Sequence, residues 1–312
     1  MSRKVLTKPA ALPDKQPPVL RWLEQLGHGF FYLTLRIAGQ RGAYLLLAFV
    51  VMVYVIFSRK IRQTVRPYLE RRFGEQSRWS RWCHTFKLVH AFGCVLVDRA
   101  WLGLSKKARL RGNAIDIDLL LEAVEKKRGL VLVSAHVGNW QTALTQLCDL
   151  PCPVNLLMKY DVDAVSKHVF DLKRGKKTLK IINVNSFMGG AVEASLALQK
   201  GEIVVAMGDR LAGKGLEENF LGAAASFPLE PYALAASVGC PLGVFFTAKT
   251  GRKSYVLKVW KLFEPHYRSR DTRASDLQKA VRSYVDSLEE YLSEYPYQWY
   301  NFFDFWQEDK EQ

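Results

Sequence analysis

The sequence lacks a set of residues that would hold a metal. Its five cysteines, Cys83, Cys94, Cys148, Cys152 and Cys240, are odd in number, and the close pair Cys148 and Cys152 has no second Cys or His pair to complete a zinc site. They read as reduced thiols of a reducing compartment. No unit repeats along the chain, which excludes a solenoid or propeller. No helix-turn-helix spacing, zinc ligands or aromatic RNA-binding signature accompanies the positive charge, so nucleic acid is not an expected partner. Acidic residues are scarce: 30 Asp and Glu against 45 Lys and Arg give +15 and a pI near 9.6. A field of that sign attracts anionic lipid or an acidic protein. Hydrophobic residues at 49% and charged residues at 24% are ordinary globular values, which argues against disorder and against a multi-span membrane protein.

What the chain does have is one uncharged apolar run, Gly42 to Phe57, bracketed by Arg36 and Arg41 before and by Arg59, Lys60, Arg62 and Arg66 after. A spanning helix needs about 20 apolar residues, so this run spans only with help from its flanks, or else lies half sunk in the interface. It starts too far into the chain for a signal peptide, and no small-residue cleavage site follows it. Trp22, Phe30, Phe31, Tyr32, Trp79, Trp82 and Trp101 set aromatics around it, as in segments anchored at headgroup level. The heavier basic flank follows the run, which puts the bulk of the chain on the cytoplasmic face of the membrane. The expected organisation is a membrane arm over residues 1–66 and an α/β domain over 67–312.

After Gly129 the pattern becomes short apolar runs separated by helix-compatible stretches. Leu130–Ala135, Val154–Met158, Leu179–Val184, Ile203–Met207 and Leu242–Ala248 are nearly continuous apolar runs, as in strands covered on both faces. Tyr255–Phe263 alternates more and reads as an edge or antiparallel strand. Apolar residues spaced by three and four from Leu277 to Leu292 mark a last helix, which Pro296 ends. The expected fold is α/β: a mostly parallel central sheet flanked by helices, with a helical apolar N-terminal arm.

The chemistry concentrates in Ser134–Gln141, SAHVGNWQ, where the first strand runs into a helix. In open parallel sheets ligands collect at the carboxyl ends of strands. His136 there can project an imidazole into a cleft, Asn139 can cap a helix starting at Trp140, and the helix N-terminus offers free N–H groups to an oxyanion or phosphate. Asp209 and Arg210 follow another buried run; they read either as an ion pair at its end or as groups that hold an anionic headgroup or orient the histidine. Lys173, Arg174, Lys176, Lys177 and Lys180 form a basic run, either a solvated loop or a docking place for an acidic carrier or lipid phosphates.

His136 followed, after four intervening residues, by Gln141, the form H-x-G-N-W, the block Gly208–Arg210, then Asn219–Gly222, Phe227–Leu242 and the aromatic Gln298–Trp306 together resemble the bacterial lipid A biosynthesis acyltransferases of lauroyl and myristoyl type, relatives of the glycerolipid acyltransferases. The resemblance spans about Trp22 to Trp306. It implies a general-base histidine that deprotonates an acceptor hydroxyl, which attacks the thioester of an acyl carrier protein or coenzyme A. It also implies a lipid or glycolipid acceptor, the bacterial inner membrane as location, and no cofactor beyond that acyl co-substrate. Where the family carries an acid, this chain has Gln141, which can fix a tautomer but supplies no negative charge. Three arrangements follow: Gln141 orients the ring by itself, another residue such as Asp209 supplies the carboxylate, or the protein is a catalytically impaired lipid binder.

Overall fold

The computed structural model describes residues 18–104, 110–147, 150–159, 179–185, 187–211, 215–267 and 269–306. Of the residues named above, Cys148, Lys173, Arg174, Lys176 and Lys177, and the side chains of Trp22 and Phe30, lie outside that set. Three helices come first: α1 (Pro18–Phe57), α2 (Arg59–Phe73) and α3 (Arg78–Leu104). They are followed by β1 (Arg111–Ile115), α4 (Asp118–Glu125), β2 (Leu130–Ser134), α5 (Trp140–Leu147), β3 (Val154–Met158) and β4 (Leu179–Asn183). Then come α6 (Ala191–Gln199), β5 (Ile203–Met207), β6 (Gly215–Phe220), β7 (Ala223–Pro228), α7 (Glu230–Val238), β8 (Leu242–Lys249), β9 (Ser254–Phe263) and α8 (Arg273–Glu294).

Seven strands form one sheet in the order β1-β9-β8-β2-β5-β3-β4. The run from β8 to β4 is parallel throughout, while β9 is antiparallel to β8 and β1 is parallel to β9. The sheet is therefore mostly parallel and flanked by helices. The Tyr255–Phe263 stretch is the antiparallel strand, but the edge is β1, whose residues RGNAI are all exposed and carry no apolar alternation.

The apolar strands divide their side chains between two faces, as the two-residue period requires. In β2, Val131 and Val133 join α6, α7 and α8 on one face, whereas Leu130 and Leu132 join α4 and α5 on the other. β6 and β7 form a separate antiparallel ribbon, turning through Leu221 and Gly222, both at positive φ (50° and 82°). A leucine in that region is strained, and its amide is held by Glu289 Oε1 at 2.7 Å.

The N-terminal helices form an outer layer. Leu35, Ala43, Val51 and Val55 of α1 are at most 5% exposed and pack on Val97 and Val89 of α3. Beyond Gly39, spacings of eight and four keep Ala43, Val51 and Val55 on one side of the helix. The opposite face leaves Ile37 77%, Leu45 75%, Phe49 60% and Phe57 79% exposed. The stretch Phe31–Phe57 is long and apolar enough to cross a membrane. Gly39, however, departs from helical backbone (φ 63°, ψ −165°), so α1 is kinked within that stretch.

One step past the kink the helix is tied to the sheet. Asp98 of α3, fully buried, accepts hydrogen bonds from the Gln40 amide, the Tyr44 and Tyr255 hydroxyls and the Lys249 ammonium. A carboxylate out of water is tolerated only with such partners. Removing it leaves the Lys249 ammonium, 14% exposed, without its counter-ion. Asp98→Ala should therefore lose about 3–5 kcal/mol of stability. Leu45→Ser on the outer face should stay within about 0.5 kcal/mol of wild type in detergent. Chemical denaturation measures both, and equal losses would remove Asp98 as the anchor.

Candidate active site

The parallel pairing of β2 with β5 aligns Ser134 with Met207. Two residues beyond each strand end stand His136 and Asp209, so neighbouring strands deliver them side by side at the carboxyl edge of the sheet. The ladder continues one step through the Gly208 amide, which donates to Ser134 O at 2.8 Å. Gly208 has to lack a side chain, because a Cβ would lie 2.5 Å from the Tyr284 ring of α8 and 2.7 Å from Val133.

The Asp209 side chain turns inward and is 1% exposed. Its Oδ1 accepts from His136 Nδ1 at 2.8 Å, and its Oδ2 from the His136 backbone N–H at 2.8 Å and from the Trp299 indole N–H at 2.9 Å. Burial by itself would raise its pKa. The charge of the His136 ring, the two His136 bonds and the Trp299 bond outweigh burial and hold the carboxyl below the usual range. With Nδ1–H committed to the carboxylate, Nε2 carries the free lone pair. The ring stays 29% exposed and meets Trp140 edge-on, centroids 6.0 Å apart.

The turn after the histidine is crowded. Gly138 has φ 51°, and a Cβ there would sit 2.0 Å from Thr247 O, so only glycine fits. Its amide donates to Gln298 O at 3.0 Å, the Val137 amide to Ala135 O at 2.8 Å, and the Tyr300 amide to His136 O at 2.9 Å. The amides of His136, Val137 and Gly138 are thus engaged with the protein's own acceptors. Val137 also makes an antiparallel bridge with Trp299.

A family model of bacterial lipid A biosynthesis acyltransferases matches residues 18–308. The chain belongs to that family. No curated protein matches it. The protein is accordingly an acyltransferase, and its family works in lipid A biosynthesis.

In this acyltransferase the residues singled out from the sequence are distributed unevenly. His136 and Asp209 are brought into contact, but Gln141, half-buried as the second residue of α5, makes no hydrogen bond to the ring. Asn139 is 2% exposed just before α5. Arg210, which is exposed, forms no ion pair with Asp209; its guanidinium lies over the Phe303 ring at 4.3 Å. Trp299, fully buried, carried no sign of its partner in the sequence, since nothing local to the loop after Pro296 points to residue 209.

Because the folded state holds Asp209 below its ordinary value, the carboxylate stabilises the fold above about pH 3.9, and that contribution disappears as pH falls through the lower folded value. The stability gap between wild type and Asp209→Asn should therefore shrink on acidification from about pH 5 to about pH 2. Equilibrium unfolding across that range measures it, and a constant gap would mean that Asp209 is not held as a carboxylate.

Proposed function

We propose that this acyltransferase moves a fatty acyl group from an acyl thioester, carried by acyl carrier protein or coenzyme A, onto a hydroxyl of a lipid or glycolipid acceptor. The observation that carries the reading is the 2.8 Å bond between His136 Nδ1 and a buried carboxylate. His136 Nε2 takes the proton of the acceptor hydroxyl, whose oxygen attacks the thioester carbonyl carbon. Asp209 offsets the charge of the imidazolium so formed, which Gln141, a neutral amide where the family carries an acid, does not do. The carbon–sulfur bond then breaks, the ester forms, and the thiolate leaves with the proton from Nε2. No covalent enzyme intermediate is needed. Arg210, an exposed residue whose guanidinium lies over the Phe303 ring, suits an anionic headgroup of the acceptor, and Asn139, just before α5, is the second residue assigned to acceptor binding.

The membrane reading rests on the outer face of α1. Ile37, Leu45, Phe49 and Phe57 face outward between Arg36, Arg41, Arg59 and Lys60, which fits an anionic inner-membrane surface on the cytoplasmic side. The kink at Gly39 and the Asp98 bonds to Gln40 and Tyr44 favour a helix lying in the interface over a lone spanning one, which would draw Asp98 and Lys249 toward hydrocarbon.

Two measurements test these readings. His136→Ala should lower acyl transfer by at least about a hundredfold with the fold intact, and Gln141→Glu should leave the acid limb of the pH–rate profile in place because Asp209 already supplies the charge. Activity of the alanine variant within about threefold of wild type, on the scale of rates expected for a missing base, would remove His136 from the mechanism. Flotation with vesicles containing anionic lipid should fall for a Leu45→Glu, Phe49→Glu double variant. Full retention of that variant in the membrane pellet under alkaline carbonate would favour a spanning anchor.

A further inference from the structure

We infer that Trp299 is a positioning residue of the acyl-transfer site, whose indole N–H fixes the Asp209 carboxylate and, through it, the ring of His136. The inference rests on the His136–Asp209 reading given above. Three features of the C-terminal segment carry it.

The first is the division of labour at the carboxylate. Oδ1 faces the His136 ring, whereas Oδ2 is shared by the His136 backbone N–H and the Trp299 indole, whose Nε1 is 2.9 Å away. Rotation of the carboxylate about its own bond would break the indole contact, so the indole locks Oδ1 toward Nδ1. The second is the setting of the ring. Trp299 is fully buried, wedged edge-on by Tyr68, Phe220 and Phe305 with centroids 5.0, 5.4 and 5.3 Å away. A phenylalanine would serve such an aromatic wedge but would leave the buried carboxylate one donor short. The third is how the segment is tied on both sides of the tryptophan. Gln298 accepts from the Gly138 amide and exchanges two side-chain bonds with the Lys249 backbone, at 2.7 and 2.9 Å, while the Tyr300 amide donates to His136 O. The same short segment thus restrains the histidine turn directly and the aspartate through the indole. Other titratable groups around the pair are Arg210 beside Asp209, Tyr284 of α8 and Tyr68 of α2, which meets the Trp299 ring.

The test removes the N–H and keeps the shape. Trp299→Phe, and replacement of Trp299 by benzothienylalanine, an isostere with sulfur in place of N–H, are compared with Phe305→Leu, which loosens the packing on Trp299 without touching Asp209. Both Trp299 changes should lower kcat about tenfold or more, with KM for the acyl donor unchanged. The acid limb of the kcat/KM profile should move to higher pH, because a carboxylate with one donor fewer holds a proton on the pair more tightly. In an Asp209→Asn background the same changes should cost less than about twofold, since there is no charge left to hold. Phe305→Leu should lower the melting temperature and leave the profile in place. If the phenylalanine variant does not fold, the isostere decides. A wild-type kcat and profile for the isostere alongside an inactive His136→Ala overturns the inference, as does an equal loss in both backgrounds. An active His136→Ala would overturn the dyad reading instead.

Discussion

A carboxylate with almost no contact with water stands at the carboxyl edge of the sheet, and three N–H groups from two distant parts of the chain hold it there. Asp209 is 1% exposed, and its bonds reach two different structural units: the His136 turn after β2 and the Trp299 segment after α8. A buried charge is stable only while every partner stays in place. The ends of β2 and β5, the Gly138 turn and the segment that follows α8 are therefore bound into one arrangement, and the cost of losing any one of them falls on Asp209.

The second buried carboxylate works in the same way for the outer layer. Asp98 joins α1 and α3 to Lys249 at the end of β8, and the backbone of Lys249 is in turn bonded by Gln298, the neighbour of Trp299. The apolar outer face of α1 and the histidine turn are thus fixed to one frame by contiguous hydrogen bonds. This network ties the position of His136 to the outer face of α1. A flexible tether between arm and domain would not provide that.

The parallel core was legible in the sequence because its strands are buried on both faces and leave unbroken apolar runs such as Ile203–Met207. The last helix was legible from apolar spacings of three and four, and its end was legible from Pro296, which has no amide to continue the helix. The edge strand β1 and the ribbon of β6 and β7 were not. RGNAI and GLEENF are polar enough to read as loop, since an edge strand and a solvent-facing ribbon have no second covered face to enforce the pattern. The kink at Gly39 was equally hidden, because a helix-compatible sequence runs through it on either side.

The sequence by itself determined the materials of the site: a histidine at a strand end, a glycine in the turn after it, a Gly-Asp-Arg block after another strand, and a basic chain with one apolar arm. Only the tertiary structure decided which of these meet. The His136–Asp209 contact depends on β2 and β5 being neighbours with Ser134 opposite Met207, although α5, β3, β4 and α6 intervene along the chain. The Trp299 contact depends on how the segment after α8 folds back over the sheet. Periodicity records whether a residue is covered, and says nothing about which distant strand covers it. Gln141, close to the histidine in sequence, was for that reason the natural partner to expect, and Asp209, close to it only in space, is the one it has.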